Sequence, residues 1–248
     1  MSAGALAPET EIDIVVQWRL LSLCLAAPSS NTLEEIDVLA AIVAQRPDAP
    51  AGLEDLRAAI ADASAESIAT AQERLFGGKV EVAPYEGSYE DDPFWQARQI
   101  SDIAGFYKAF GAEAHGPALD RPDHAGCELE FLAFLGARRL AAQDAGDETD
   151  ADLCLEVEDS FLREHAGRWL PTFFRATEKT APDAFHAALG RLGAVVVEHE
   201  LARREIEAEP LGPRARRLSV EADELECATE NEPVTPLLPG RRGRRAAR

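Results

Sequence analysis

Between Thr10 and Arg204, apolar residues return every three or four positions, and each run is cut by proline or glycine. A helix can bury such a pattern on one face; a strand, with its period of two, cannot. Ile14, Trp18, Leu21 and Leu25 set a helix from Thr10 to Ala26, with Thr10 and Asp13 spaced as a capping box and Pro28 as its stop. Thr32, with Glu35 three residues on, is expected to cap a second helix whose inner face is Leu33, Ile36, Leu39, Ala40 and Val43. Leu53, Leu56 and Ile60 mark a third helix. Ser64 opens a fourth that runs to Phe76, stopped by Gly77 and Gly78. From Phe94 to Phe110 an aromatic stripe through Trp95, Phe106 and Tyr107 reads as core. Gly146 to Asp159 lacks the central glycine and the terminal glutamate of a calcium loop at the required spacing. It reads as the polar start of a helix continuing through Phe161, Leu162 and His165, with Trp169, Leu170, Phe173 and Phe174 in the next packed segment. Pro182 opens the last helix, with Phe185, Leu189, Leu192, Val196 and Val197 inward. Beyond it, His199, Glu200, Arg203 and Arg204 read as surface pairing.

These elements predict an all-α, single-domain helical bundle. A chain of 248 residues can close one substantial core, and an aromatic content of only 6% favours helix over sheet. The expected boundaries are a loose segment over 1–9, a helical domain over 10–207, and a disordered tail over 208–248. That tail is acidic first and then arginine-rich, ending in PGRRGRRAAR, where Arg241, Arg242, Arg244 and Arg245 are candidates for docking into an acidic groove.

The most informative stretch is RPDHAGCELEFLAFLGARRL, from Arg121 to Leu140. The spacing predicts a helix from Arg121 to about Gln143, with Asp120 as N-cap, Asp123 completing a capping-box-like arrangement, and Pro122 at an early position where its missing N–H costs nothing. His124, Cys127 and Glu128, at i, i+3 and i+4, share one face. Three readings of that face stay open: a capped core helix in which Glu128 holds His124, a metal site, or a recognition site that sets an acid and an imidazole beside an apolar groove.

A second irregular stretch, Lys79 to Asp92, holds Pro84, Tyr85, Gly87 and Tyr89 among Glu81, Glu86, Glu90, Asp91 and Asp92. It is either a solvated linker or an aromatic, acidic lip on a binding groove.

The formal net charge of −20 sets this chain against nucleic-acid binding and toward basic partners. Cys24, Cys127, Cys154 and Cys227 are scattered with no CxxC, which suits a reducing compartment. The first residues carry no basic, apolar export signal, and no stretch is apolar enough for a membrane span, so a cytoplasmic location without stable membrane insertion is expected. Covalent catalysis is not indicated, because G-x-S-x-G, Walker, G-x-G-x-x-G and H-E-x-x-H patterns are all missing from the sequence.

Three segments together resemble the TorD/NarJ-like redox-enzyme maturation chaperones. They are Pro122-Asp123-His124 with the following ELEFLAFL, the Leu75–Phe76 turn with Pro84-Tyr85 and Ser88-Tyr89, and Phe161-Leu162 with His165 and Trp169. The resemblance covers roughly residues 10 to 205. It implies an all-helical, non-enzymatic protein that binds the twin-arginine signal peptide of a molybdoenzyme catalytic subunit in the dimethyl-sulfoxide-reductase superfamily and holds that subunit for molybdenum cofactor insertion. The chaperone itself is expected to need no cofactor and to be a monomer or a domain-swapped dimer. The resemblance makes Asp123 and His124 the first candidates for peptide contact. Pro122, Glu128, Tyr85, Glu86, Trp95 and Trp169 join them, as an apolar groove with carboxylates at one end would suit a basic and then apolar peptide. The alternative is a helical metal-binding protein or metalloenzyme using His124 and Glu128, with His165 or His199 in support.

Overall fold

The expected helices are present, and the differences fall at their ends. The structure, a computed structural model, describes residues 8–77, 80–90, 92–112 and 121–212; the expectations for Gly78, Asp120, Cys227 and the arginine-rich tail lie outside them. In chain order the helices are α1 (Pro8–Leu25), α2 (Ser30–Ala44), α3 (Leu53–Asp62), α4 (Ala65–Phe76), α5 (Pro93–Ala109), α6 (Ala125–Ala145), α7 (Glu148–Phe161), α8 (Gly167–Thr180) and α9 (Ala184–Arg203). Among the described residues the extended chain forms no strand, only an isolated bridge between Tyr85 and His124. None of these helices is long and apolar enough to cross a membrane.

Local chemistry sets most helix starts. Ser64 caps α4 in a reciprocal box with Ser67, and Asp92, Asp147 and Asp183 cap α5, α7 and α9. Each such cap stabilises its helix by about 1 kcal/mol. The cap of α2 is Ser29, whose hydroxyl accepts from the Thr32 N–H at 3.1 Å. Thr32 therefore lies inside the first turn rather than at the cap.

Helix α6 packs against α1 and α7, and α9 packs against α8 and α3. Trp18, Leu21, Leu129, Phe161, Trp169, Phe173, Leu189 and Val197 are buried where these faces meet. Burying each large side chain contributes about 1.5–3 kcal/mol. Helices α8 and α9 approach closely because Gly190 has no side chain. A Cβ there would collide with the Phe174 carbonyl and the Glu178 backbone. The α5 stripe divides: Ile103 and Tyr107 are buried, but Phe94 and Trp95 are 72% and 45% exposed, so those two are not core. Adjacent positions on a helix point about 100° apart, and the stripe is too wide for one face.

Between α7 and α8 the chain makes a wide π-turn over Leu162–Ala166, closed by the Gly167 N–H donating to the Leu162 carbonyl. A Cβ at Gly167 would strike that same carbonyl. After α9 the chain returns along α8: the Leu211 N–H donates to the Arg168 carbonyl at 2.7 Å, and Thr172 donates to the Leu211 carbonyl.

At the C-terminal half of α6, Arg139 is 2% exposed and reaches Glu158 and Glu11, both at 2.8 Å. Arg204 reaches Glu158 at 2.6 Å and Asp159 at 2.7 Å, and both it and Arg203 pair with Glu200. Glu200 is 1% exposed, so the expected surface pairing is an interior network, with His199 alone facing outward.

Candidate functional site

The loop after α4 folds back onto the start of α6. The Glu86 N–H donates to the Asp123 carbonyl, and the Ala125 N–H donates to the Pro84 carbonyl, both at 2.9 Å. These bonds fix where α6 can begin. Its N-cap is His124, whose Nδ1 accepts from the Gly126 N–H at 3.0 Å. Pro122 and Asp123 thus precede the helix rather than open it. The Pro122 carbonyl accepts from the Tyr107 hydroxyl at 2.8 Å. The Asp123 carboxylate is held by Arg121 at 2.6 and 2.9 Å and accepts from the Gly87 N–H at 3.2 Å. Tyr85 completes the clamp. The His124 ring meets it edge-on at 5.3 Å between centroids, and the Arg121 guanidinium lies 4.3 Å above it.

Behind this clamp lie three carboxyl groups with no solvent exposure: Glu86, Asp123 and Glu128. Glu86 faces His165 Nδ1 at 3.1 Å and accepts from Gln99 at 3.3 Å. Glu128 accepts from the Trp169 indole N–H at 2.9 Å, and its other oxygen has no hydrogen-bond partner. Burial pushes the Glu128 carboxyl well above the usual carboxylate range. The charge of Glu86 and, less strongly, Asp123 push it the same way, and the Trp169 hydrogen bond only partly opposes them. Burial likewise raises the Tyr107 phenol.

Seven of the eight candidates named from sequence therefore converge: Tyr85, Glu86, Pro122, Asp123, His124, Glu128 and Trp169. Glu86, Asp123 and Glu128, expected as the carboxylates at one end of an apolar groove, carry no exposed charge. All three are interior, and the loop carrying Glu86 is neither a solvated linker nor a free lip. The pairing of His124 with Glu128 as metal ligands also fails, because His124 Nδ1 is engaged as the cap and Glu128 turns to Trp169. His199 stands apart on the exposed side of α9.

Trp95, the eighth candidate, lines a groove of about 620 Å³ just outside the Glu86–His165 pair. Its exposed neighbour Phe94 meets it edge-on at 6.2 Å, and Arg98 lies 4.8 Å over its ring. The groove walls carry five carboxylates, Glu90, Asp102, Glu164, Glu207 and Glu209, against three guanidinium groups. A larger recess of about 870 Å³ between α3, α4 and α9 is lined by seven alanines among sixteen residues and lacks the buried carboxylates that converge here. Sequence reasoning left out Gln99, Arg121 and Tyr107 as site residues and gave His165 only a supporting role. The four-residue spacing of His165 and Trp169, which puts both on one helix face, was the signal available for His165.

The fold is all-helical, with a buried polar knot under an open groove. The family model for the nitrate reductase delta subunit matches residues 46–175. A selenate reductase assembly chaperone protein of Thauera selenatis is 34% identical over 136 residues, 55% of this chain and 68% of that one. A chlorate reductase assembly chaperone protein of Ideonella dechloratans is 31% identical over 126 residues, 50% of this chain and 62% of that one. A solved structure from Archaeoglobus fulgidus, described as a redox enzyme maturation protein, has the same fold. It aligns with a TM-score of 0.50 at 18% identity, over 74% of this chain and 93% of that one. The chain belongs to the nitrate reductase delta subunit family, the NarJ/TorD-like redox-enzyme maturation chaperones.

Proposed function

We propose that this protein is a non-catalytic, cytoplasmic assembly chaperone for the catalytic subunit of a molybdoenzyme of the dimethyl-sulfoxide-reductase superfamily. It binds that subunit's twin-arginine signal peptide and holds the subunit until the molybdenum cofactor is in place and export can follow. The two curated relatives, named as assembly chaperones for selenate and chlorate reductases, support the client class.

The observation that carries the reading is the exposed Phe94–Trp95 pair at the mouth of a groove with an excess of carboxylates. The aromatic pair supplies area for the peptide's apolar segment, and the carboxylates orient its basic segment. Trp95, which lines the groove, touches the peptide directly. Glu86 acts from below, through Gln99 and His165 in the groove lining, while Tyr85, Pro122, Asp123, His124, Glu128 and Trp169 act at one remove, by fixing the loop that carries Glu86.

Calorimetric titration of the full chain with a synthetic twin-arginine signal peptide tests the reading. Binding at micromolar Kd is expected, weakened at least tenfold by the double substitution Phe94→Ala/Trp95→Ala and reduced by salt. Absence of binding, or binding indifferent to that substitution, overturns it.

A further inference from the structure

We propose that Asp102, Glu164 and His165 form a binding site for a first-row divalent transition-metal ion, represented experimentally by zinc. The inference does not depend on the client. It starts from a buried group that the fold leaves unfinished. His165 is 2% exposed, yet its Nε2 makes no hydrogen bond and faces the groove, where the Asp102 carboxylate lies 3.4 Å away. The other ring nitrogen is fixed from inside by Glu86, itself fully buried, at 3.1 Å. A carboxylate acceptor at Nδ1 calls for a proton there, so in the neutral form of the ring the Nε2 lone pair is the one that faces the groove. A buried carboxylate holding the far nitrogen of an outward-facing imidazole is the usual second layer of a metal-bound histidine.

The rest of the donor set is in place. One ligand atom from each of Asp102, Glu164 and His165 lies within 4.8 Å of the other two. Bonds of about 2.0–2.2 Å to a tetrahedral ion set neighbouring donors roughly 3.4 Å apart. The Asp102–His165 separation already meets that distance. Glu164 must close by at most about 1.4 Å, within reach of an exposed side chain on a surface turn. Three arginines line the same groove, yet among the described residues neither Asp102 nor Glu164 is paired with a guanidinium. The π-turn supplies Glu164 and His165 consecutively, with His165 turned inward and Glu164 outward. One imidazole with two carboxylates suits zinc, iron, manganese or nickel rather than a thiol-seeking ion. The remaining coordination positions open to the groove.

The experiment uses the tag-free full chain, stripped with a chelator and titrated with zinc at about pH 7, with cobalt absorption spectra as a second readout of coordination. One ion per chain is expected, at micromolar Kd or tighter. The exposed double variant Asp102→Asn/Glu164→Gln should fold normally and lose at least tenfold in affinity. Glu86→Gln should weaken binding by roughly tenfold through the orientation of His165. No binding below about 1 mM, or stoichiometric binding unchanged in the exposed double variant, overturns the proposal. In the first case His165 simply bridges Glu86 and Asp102 as an ion pair; in the second the ion sits elsewhere. A preparation that binds zinc but no signal peptide keeps this inference and loses the previous one.

Discussion

At the C-terminal half of α6, Arg139, Arg203 and Arg204 meet Glu11, Glu158, Asp159 and Glu200, so three guanidinium groups nearly balance four carboxylates. About 16 Å back along the same helix lies Glu128, and with Glu86 and Asp123 it shares one guanidinium and one imidazole. Both regions are interior, but only the second leaves buried polar atoms without a hydrogen bond: Glu128 Oε1, His165 Nε2 and Gln99 Oε1. The titration behaviour divides the same way. Burial pushes Glu200 up, but Arg203 and Arg204 outweigh it and hold its carboxyl below the usual range, whereas nothing outweighs burial at Glu128. A balanced network serves as a staple. An unbalanced one is retained at a cost in stability, which is the mark of a region kept for what it binds or positions.

The sharpest way to break this comparison is to cut the staple. Arg139→Met leaves Glu158 short of a partner and is expected to lower stability by about 3–5 kcal/mol in urea denaturation. Next comes Trp169→Phe, which removes the indole donor from Glu128 and should lower stability by about 1–3 kcal/mol. Glu128→Gln probes the imbalance itself. A carboxyl whose folded pKa lies above its ordinary 4.5 binds the proton more tightly in the folded state, so stability falls as pH rises above about 4.5 toward that raised value. The variant should show a shallower decline of Tm with pH over that window. Its loss of stability as pH falls below 4.5 should persist, since there the unfolded chain protonates Glu200 while the lowered pKa keeps the folded carboxyl ionised. Equal slopes for variant and wild type above pH 4.5 would remove the distinction between the two regions. Smallest in stability is Trp95→Ala, expected to fall within about 0.5 kcal/mol of wild type, while peptide affinity drops.

The helices were legible because each carries its period locally, as α3 does with Leu53, Leu56 and Ile60. The start of α6 was not, because cap rules weigh neighbours in sequence. Asp123 has the chemistry of a cap, but Arg121 and the Gly87 N–H, 36 residues away, take its oxygens, and the role passes to His124. Glu86 sits in a run of acids that reads as solvated, and only the fold brings it to His165, 79 residues on. Arg204 and Glu200 misled in the same way: a charged pair four apart looks like surface until α6 and α7 supply Arg139 and Glu158. Seven of the residues named from sequence lie together in the fold because short motifs carried them. That Glu86, Asp123 and Glu128 are interior was not legible, since burial of a charge depends on partners that no local window contains.

The wide turn at Leu162–Ala166 has a consequence for how this chain tolerates change. It joins α7, which serves α6, to α8, which serves α9, and it acts as a phase shifter between two sets of faces. Losing one residue there would straighten α7 and α8 into a regular helix and rotate one against the other by about 100°. His165 and Trp169 then could not reach Glu86 and Glu128 together. Arg163 and Glu164, both exposed, can change their side chains without disturbing that phase. What the segment preserves is a count of residues more than their identity.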